Sequence, residues 1–128
     1  MSYVYSKAAS LKGKPVVGSR QCVALVQEYA KAPTTPHWRQ GEAVVGNTSL
    51  RAGTAIATFE NGRYPSRPHG NHASLYLRQG INGIYVADQW KAAGKAKISM
   101  RLLTSLGKDK EGNFNQPSNN ADAFFVIE

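Results

Sequence analysis

A single cysteine among 128 residues, Cys22, leaves the chain without an internal disulfide. A lone thiol is then either packing or chemistry. Acidic side chains are also scarce, with 8 Asp and Glu against 16 Lys and Arg, giving a formal charge of +8 and a pI near 9.8. Such a surface attracts polyanions through salt-sensitive, long-range forces. The basic residues run from Lys7 to Lys110 without massing into one tract, which favours general affinity for bacterial envelope or nucleic acid over specific nucleic-acid readout. No apolar run approaches the roughly 20 residues that span a bilayer, so no membrane span is expected. The segment Met1 to Leu11 lacks the hydrophobic region of a signal peptide, which implies synthesis in the cytoplasm without such a signal. Three histidines and one cysteine show no close metal-ligand spacing, and the loop Pro68 to His72 offers only two ring nitrogens. No metal and no cofactor are expected.

A chain of this length with 41% hydrophobic residues suffices for one core, and a single domain over residues 1–128 is expected. Ser19 to Lys31 reads as a helix with Val23, Val26, Tyr29 and Ala30 at helical spacing, Ser19 as its cap, and Pro33 and Pro36 beyond its end. Strand-like runs follow at Gly53 to Phe59, His72 to Leu77, Gly83 to Trp90, Ile98 to Leu103 and Ala123 to Ile127. The turn-forming stretch Arg78 to Gly83 joins two of them as a hairpin. A polar loop spans Gly107 to Asn120, while Pro33 to Asn47 and Glu60 to Asn71 are loops expected to border a cleft. The predicted class is therefore α+β, an N-terminal helix packed on a mainly antiparallel sheet.

Two inferences about chemistry come from this layout. A helix beginning at Ser19 puts Cys22 in the first turn, where free N–H groups and the positive dipole end favour thiolate. A hairpin turn near Gly80 or Ile81 places His72 opposite Asp88, or within one step of it, so that the carboxylate can fix the tautomer of the imidazole and stabilise its charged form. Cys22 as nucleophile, His72 as base and acid, and the Cys22 N–H with the Gln21 side chain as oxyanion donors would supply amide hydrolysis. His69, between Pro68 and Gly70, is expected to be exposed or substrate-facing, and His37 to be a solvated loop residue. Tyr76, Tyr85 and Trp90 are assigned to packing.

The order Arg20-Gln21-Cys22-Val23-x-Leu25-Val26, then Leu50 to Phe59, then Gly70-Asn71-His72-Ala73-Ser74-Leu75-Tyr76-Leu77 resembles the NlpC-type and CHAP-type papain-like peptidoglycan hydrolases. Those families carry a cysteine at a helix start and a histidine opening a later strand. The resemblance covers roughly Gly18 to Trp90. Thr54 stands where those families usually carry an aspartate, and Ser19-Arg20 where a glycine is common. The short, basic chain also resembles the amidase effectors of type VI secretion. That resemblance implies a papain-like cysteine amidase domain that cuts a stem-peptide or cross-link amide through a thioester acyl-enzyme. It further implies antibacterial export to the periplasm or cell wall of a rival, and an immunity protein in the producer. A second reading, from the net charge, is a non-catalytic binding module for cell-wall polymer or nucleic acid.

Overall fold

The computed structural model describes residues 2–65 and 67–128; Met1 of the expected unaddressed N-terminal segment and Ser66 of the loop 60–71 lie outside the described residues. The chain forms the α-helix α1 (Cys22–Ala30), and strands β1 (Gln40–Ala43), β2 (Ala55–Thr58), β3 (Ala73–Gly80), β4 (Gly83–Asp88), β5 (Ser99–Leu103) and β6 (Phe124–Ile127). The strands make one sheet in the order β1-β6-β2-β3-β4-β5, and each neighbouring pair is antiparallel. This is the expected α+β arrangement, with the cysteine-bearing helix ahead of the sheet.

Helix α1 starts later than its sequence pattern suggests. Arg20 adopts a left-handed backbone (φ 73°), which breaks any helix running from Ser19. Gln21, with φ −73° and ψ 161°, is the cap. Ser19 Oγ accepts instead from the Gln21 N–H at 3.4 Å, so Cys22 is the first helical residue. The helix stops at Lys31, whose left-handed backbone lets its N–H return to the Val26 carbonyl, a common helix ending. Leu25, Val26 and Ala30 bury against Ala55, Ala57, Ala73, Leu75 and Ala87 of the sheet. The small alanines on β2 and β3 let the helix lie close; truncating Leu25, fully buried, would cost about 2–5 kcal/mol.

Central strand β2 is buried at all four positions because its far face meets a second cluster formed by Ile56, Tyr76, Ile84, Val86, Leu103 and Phe124. At the entry to β2, Gly53 has φ 94° and a side chain there would collide with the Tyr5 carbonyl; only glycine permits that approach. The next residue, Thr54, donates from Oγ1 to the Arg51 carbonyl at 2.7 Å, a local turn role for the position where an aspartate is usual in the resembling families.

The β3–β4 hairpin turns at Ile81 and Asn82, between paired Gly80 and Gly83, so its centre falls just after Ile81 rather than at Gly80 or Ile81. Near the turn the pairs are Gln79↔Ile84 and Arg78↔Tyr85, but further on Tyr76 pairs with Val86 and Leu75 with Ala87. A bulge at Leu77 absorbs one residue. Because side chains alternate, a one-residue slip exchanges faces. Without the bulge position 88 would lie level with Leu75 on the helix side. With it, position 88 lies level with Ser74, and His72 sits two residues along on the same face. The histidine and aspartate are thus diagonal neighbours, two residues out of register, where a pair opposite or within one step was expected. The Tyr76 hydroxyl and Gln79 side chain lie 3.2 Å apart, a shared face that an odd spacing allows only across such a bulge.

Candidate active site

Three elements converge where α1 begins. Cys22 is held there by Gln89, which is fully buried and immediately follows β4. Its Oε1 accepts from the Val17 N–H at 2.9 Å, and its Nε2 donates to the carbonyls of Val17 at 3.0 Å and Gln21 at 2.8 Å. One side chain therefore ties the segment leading into α1 to the end of the hairpin. His72, on the last residue before β3, is anchored through its own backbone: its N–H donates to Thr58 Oγ1 at 3.0 Å and its carbonyl accepts from the Thr58 N–H at 3.0 Å. Its ring packs edge-on against Phe124, 6.3 Å between centres.

His72 Nε2 lies 2.9 Å from Asp88 Oδ2, and the same oxygen accepts from Arg101 Nε at 2.8 Å and forms an ion pair with Nη2 at 2.7 Å. The second carboxylate oxygen, Oδ1, is buried and has no hydrogen-bond partner among the described residues. With Nε2 engaged, Nδ1 is the ring atom left to act on the Cys22 thiol, whose ionisation His72 favours. On the other side of the sulfur, the Tyr64 hydroxyl lies 3.6 Å away. Tyr64 is set by edge-on packing against Trp38, 4.8 Å between ring centres.

Charge alternates along this row. Burial pushes the Cys22 thiol up, but the hydrogen bond and positive charge of His72, the Tyr64 hydroxyl and the Ala73 N–H together bring it below the ordinary thiol range. Burial pulls His72 down, and its bonds to Asp88 and Cys22 outweigh this and raise it to about 9. Burial likewise opposes the charge on Asp88, which His72 and Arg101 nevertheless hold below the usual carboxylate range. Tyr64 is raised far above an ordinary phenol by burial and then by the adjacent Cys22, against a smaller opposing effect of Asn71. It is a permanent donor. At neutral pH these directions favour thiolate, imidazolium, carboxylate and guanidinium side by side, an arrangement that offsets the cost of burying each charge.

The sulfur opens to solvent through a groove with two arms. One, of about 640 Å3, is lined by His72, His69, Trp90, Lys91, Arg101 and Asn119 among others. The second, of about 460 Å3, is lined by Val23, Thr35, Tyr64, Pro65 and Arg67. Gln21, Cys22, Pro68 and Asn71 belong to both. Gln21 is exposed beside the sulfur. Cys22, as the first helical residue, has an N–H without an intrahelical acceptor. Among the described residues no three His, Cys, Asp or Glu side chains converge as metal ligands do.

The structure thus brings together Cys22, His72, Asp88 and Gln21. His69 is exposed at the groove and His37 is exposed in a short 3-10 turn. Trp90 corrects an expectation: it is 36% exposed and forms a wall of the groove rather than core. Tyr76 is buried, as expected of packing, while Tyr85 is half-buried under the Arg78 guanidinium, 3.9 Å from its ring centre. Sequence reasoning missed Tyr64, Asn71, Gln89 and Arg101. Only Arg101 left a trace, a lone cation within a mainly apolar strand.

A family model described as domesticated amidase effector 2 matches residues 2–127. A "Type VI secretion amidase effector 2 protein" from Salmonella typhi is 43% identical over 133 residues, covering 100% of both chains. A "Domesticated amidase effector 2" from Ixodes scapularis is 33% identical, covering 96% of this chain and 82% of that one. A solved structure named "Type 6 secretion amidase effector 2 (Tae2)" is similar with a TM-score of 0.91 at 43% identity, covering 98% of this chain and 94% of that one.

Proposed function

The chain belongs to the domesticated amidase effector 2 family and is an amidase, and from that premise we propose that it hydrolyses an amide of bacterial peptidoglycan with Cys22 as nucleophile. The observation that carries this reading is His72, bonded to Asp88, lining one open groove together with Cys22. The thiolate attacks the amide carbon, and the carbonyl oxygen takes up the electron pair. The Cys22 N–H and the Gln21 side chain face that oxygen. On collapse the C–N bond breaks, the nitrogen takes the His72 Nδ1 proton, and an amine leaves a thioester on Cys22. A water molecule, losing its proton to His72, attacks the thioester. The products are a carboxylic acid and the regenerated thiolate–imidazolium pair.

Asp88 acts through the imidazole by fixing its tautomer and favouring its charged form. Arg101 in turn holds Asp88. Tyr64 donates to the sulfur while it is thiolate and remains protonated throughout. The fold, the lone cysteine at the helix start and the surplus of positive charge suit an enzyme working on an anionic envelope. Resemblance to type VI effectors further supports export to the periplasm or wall of a rival cell, with an immunity protein blocking the groove in the producer. No helix among the described residues is long and apolar enough to cross a membrane.

The test is mass spectrometry of purified peptidoglycan fragments incubated with wild type and with Cys22→Ala. New free amine and carboxyl ends with wild type alone are expected. Unchanged fragments across several wall chemistries would remove the reading.

A further inference from the structure

The larger arm of the groove carries positive charge without an exposed acid to balance it. None of its lining residues is Asp or Glu, and the nearby Asp88 is fully buried and already bonded to His72 and Arg101. In the ion-paired state the row Cys22, His72, Asp88, Arg101 sums to zero. The surplus at this wall is Lys91, which is exposed, and Lys95, whose Nζ lies 4.1 Å from the Trp90 ring centre. The Arg101 guanidinium carbon lies 5.1 Å from the same ring. Trp90 therefore presents an apolar surface framed by cations, which suits a residue with both a hydrocarbon part and an anionic end.

The arm also has a direction. His72 lines it and does not line the smaller arm beside Tyr64. The proton that His72 delivers goes to the leaving nitrogen, so the amine half of a substrate occupies the arm containing His72. The acyl half extends past Tyr64. A carboxylate carried by the amine half would meet Lys91 at the groove rim, close enough to be drawn in by local charge and held by one charge-assisted hydrogen bond.

Resting on the amidase reading above, we propose that Lys91, with Lys95 and the Trp90 ring, forms a subsite for a free carboxylate on the amine half of the substrate. The ligand class is an amino acid or short peptide that supplies the leaving nitrogen and keeps an unblocked carboxylate next to it. Arg101 and Lys95 contribute to the field there, but the hydrogen bonds of Arg101 go to Asp88 and Asn119 and the Lys95 ammonium is engaged by Ser99 Oγ, leaving Lys91 as the group that engages the ligand.

Calorimetric titration of full-length Cys22→Ala with two stem-peptide fragments tests this. The fragments differ only in whether the amine-side residue ends in a carboxylate or a carboxamide. The carboxylate form should bind about tenfold more tightly, the scale of one hydrogen bond to a charged group. In Cys22→Ala/Lys91→Gln the ratio should collapse to within about threefold, the scale of a weak exposed ion pair. Equal binding of the two fragments, binding of neither, or a preference that survives Lys91→Gln would overturn the subsite. Cleavage of the same fragments by wild type, followed by chromatography, reads the amidase proposal separately: preference without cleavage would keep the subsite and remove the hydrolase.

Discussion

Replacing Gln89 by leucine keeps most of its volume and deletes three hydrogen bonds, to the Val17 N–H, the Val17 carbonyl and the Gln21 carbonyl. Each such bond contributes about 1 kcal/mol net, and because Val17 is half-buried and Gln21 exposed, water can reach the released groups, so the loss should be roughly 2–4 kcal/mol. For a domain of this size that is a fall in Tm of roughly 6–16 °C. The second consequence is chemical. Gln89 fixes the backbone at Gln21, the residue before Cys22, so its loss releases the start of α1 from the hairpin that carries Asp88. In protein still folded at 20 °C, Cys22 should alkylate more slowly at pH 7, because a sulfur displaced from His72 loses the charge that favours thiolate. Differential scanning calorimetry and iodoacetamide kinetics read the two effects. A Tm within about 2 °C of wild type, well under the shift of a single lost kcal/mol, together with an unchanged alkylation rate, would refute the idea that this side chain sets the nucleophile's position.

Tyr64→Phe removes the hydroxyl 3.6 Å from the sulfur; the pH midpoint of Cys22 alkylation should move upward, and an unchanged midpoint would show that the phenol does not act on the thiolate. The rate of amide cleavage should follow a bell in pH. Its acid limb marks ionisation of the lowered Cys22 thiol, and its alkaline limb, near pH 9, marks loss of the His72 proton needed by the leaving amine. In Asp88→Asn the imidazolium loses its carboxylate partner, so the alkaline limb should shift to lower pH and kcat should fall by about 10²–10⁴, the scale of general acid–base catalysis. A normal limb in that variant, read from initial rates between pH 5 and 10, would mean that Asp88 does not support the charged ring.

The helix carrying Cys22 and the strand after His72 were legible in sequence because each has a clear period and a bounded run. The pairing of His72 with Asp88 was anticipated from hairpin alternation, but not its diagonal geometry. The turn lies later than expected, and the Leu77 bulge restores the shared face; nothing in Tyr76-Leu77-Arg78 announces an extra residue. Strand β1 was read as loop because Gln40, Gly41 and Glu42 show no apolar alternation; it is an edge strand with an irregular register against β6. Ser19 looked like a cap by type, yet the left-handed turn at Arg20 hands that place to Gln21. Tyr64, Gln89 and Arg101 act through contacts 42, 72 and 13 residues away in sequence, and only the folded sheet reveals such distant partners. The basic residues appeared evenly spread, and Lys95 and Arg101 come over the Trp90 ring, beside Lys91, only in the folded chain.

The most direct test of the account is intact-protein mass spectrometry of enzyme quenched in acid during turnover of peptidoglycan fragments. A covalent adduct of acyl-fragment mass, mapped to Cys22, released by hydroxylamine and missing in Cys22→Ala, is the predicted result. Continued cleavage by Cys22→Ala with no adduct on any residue of wild type would contradict it.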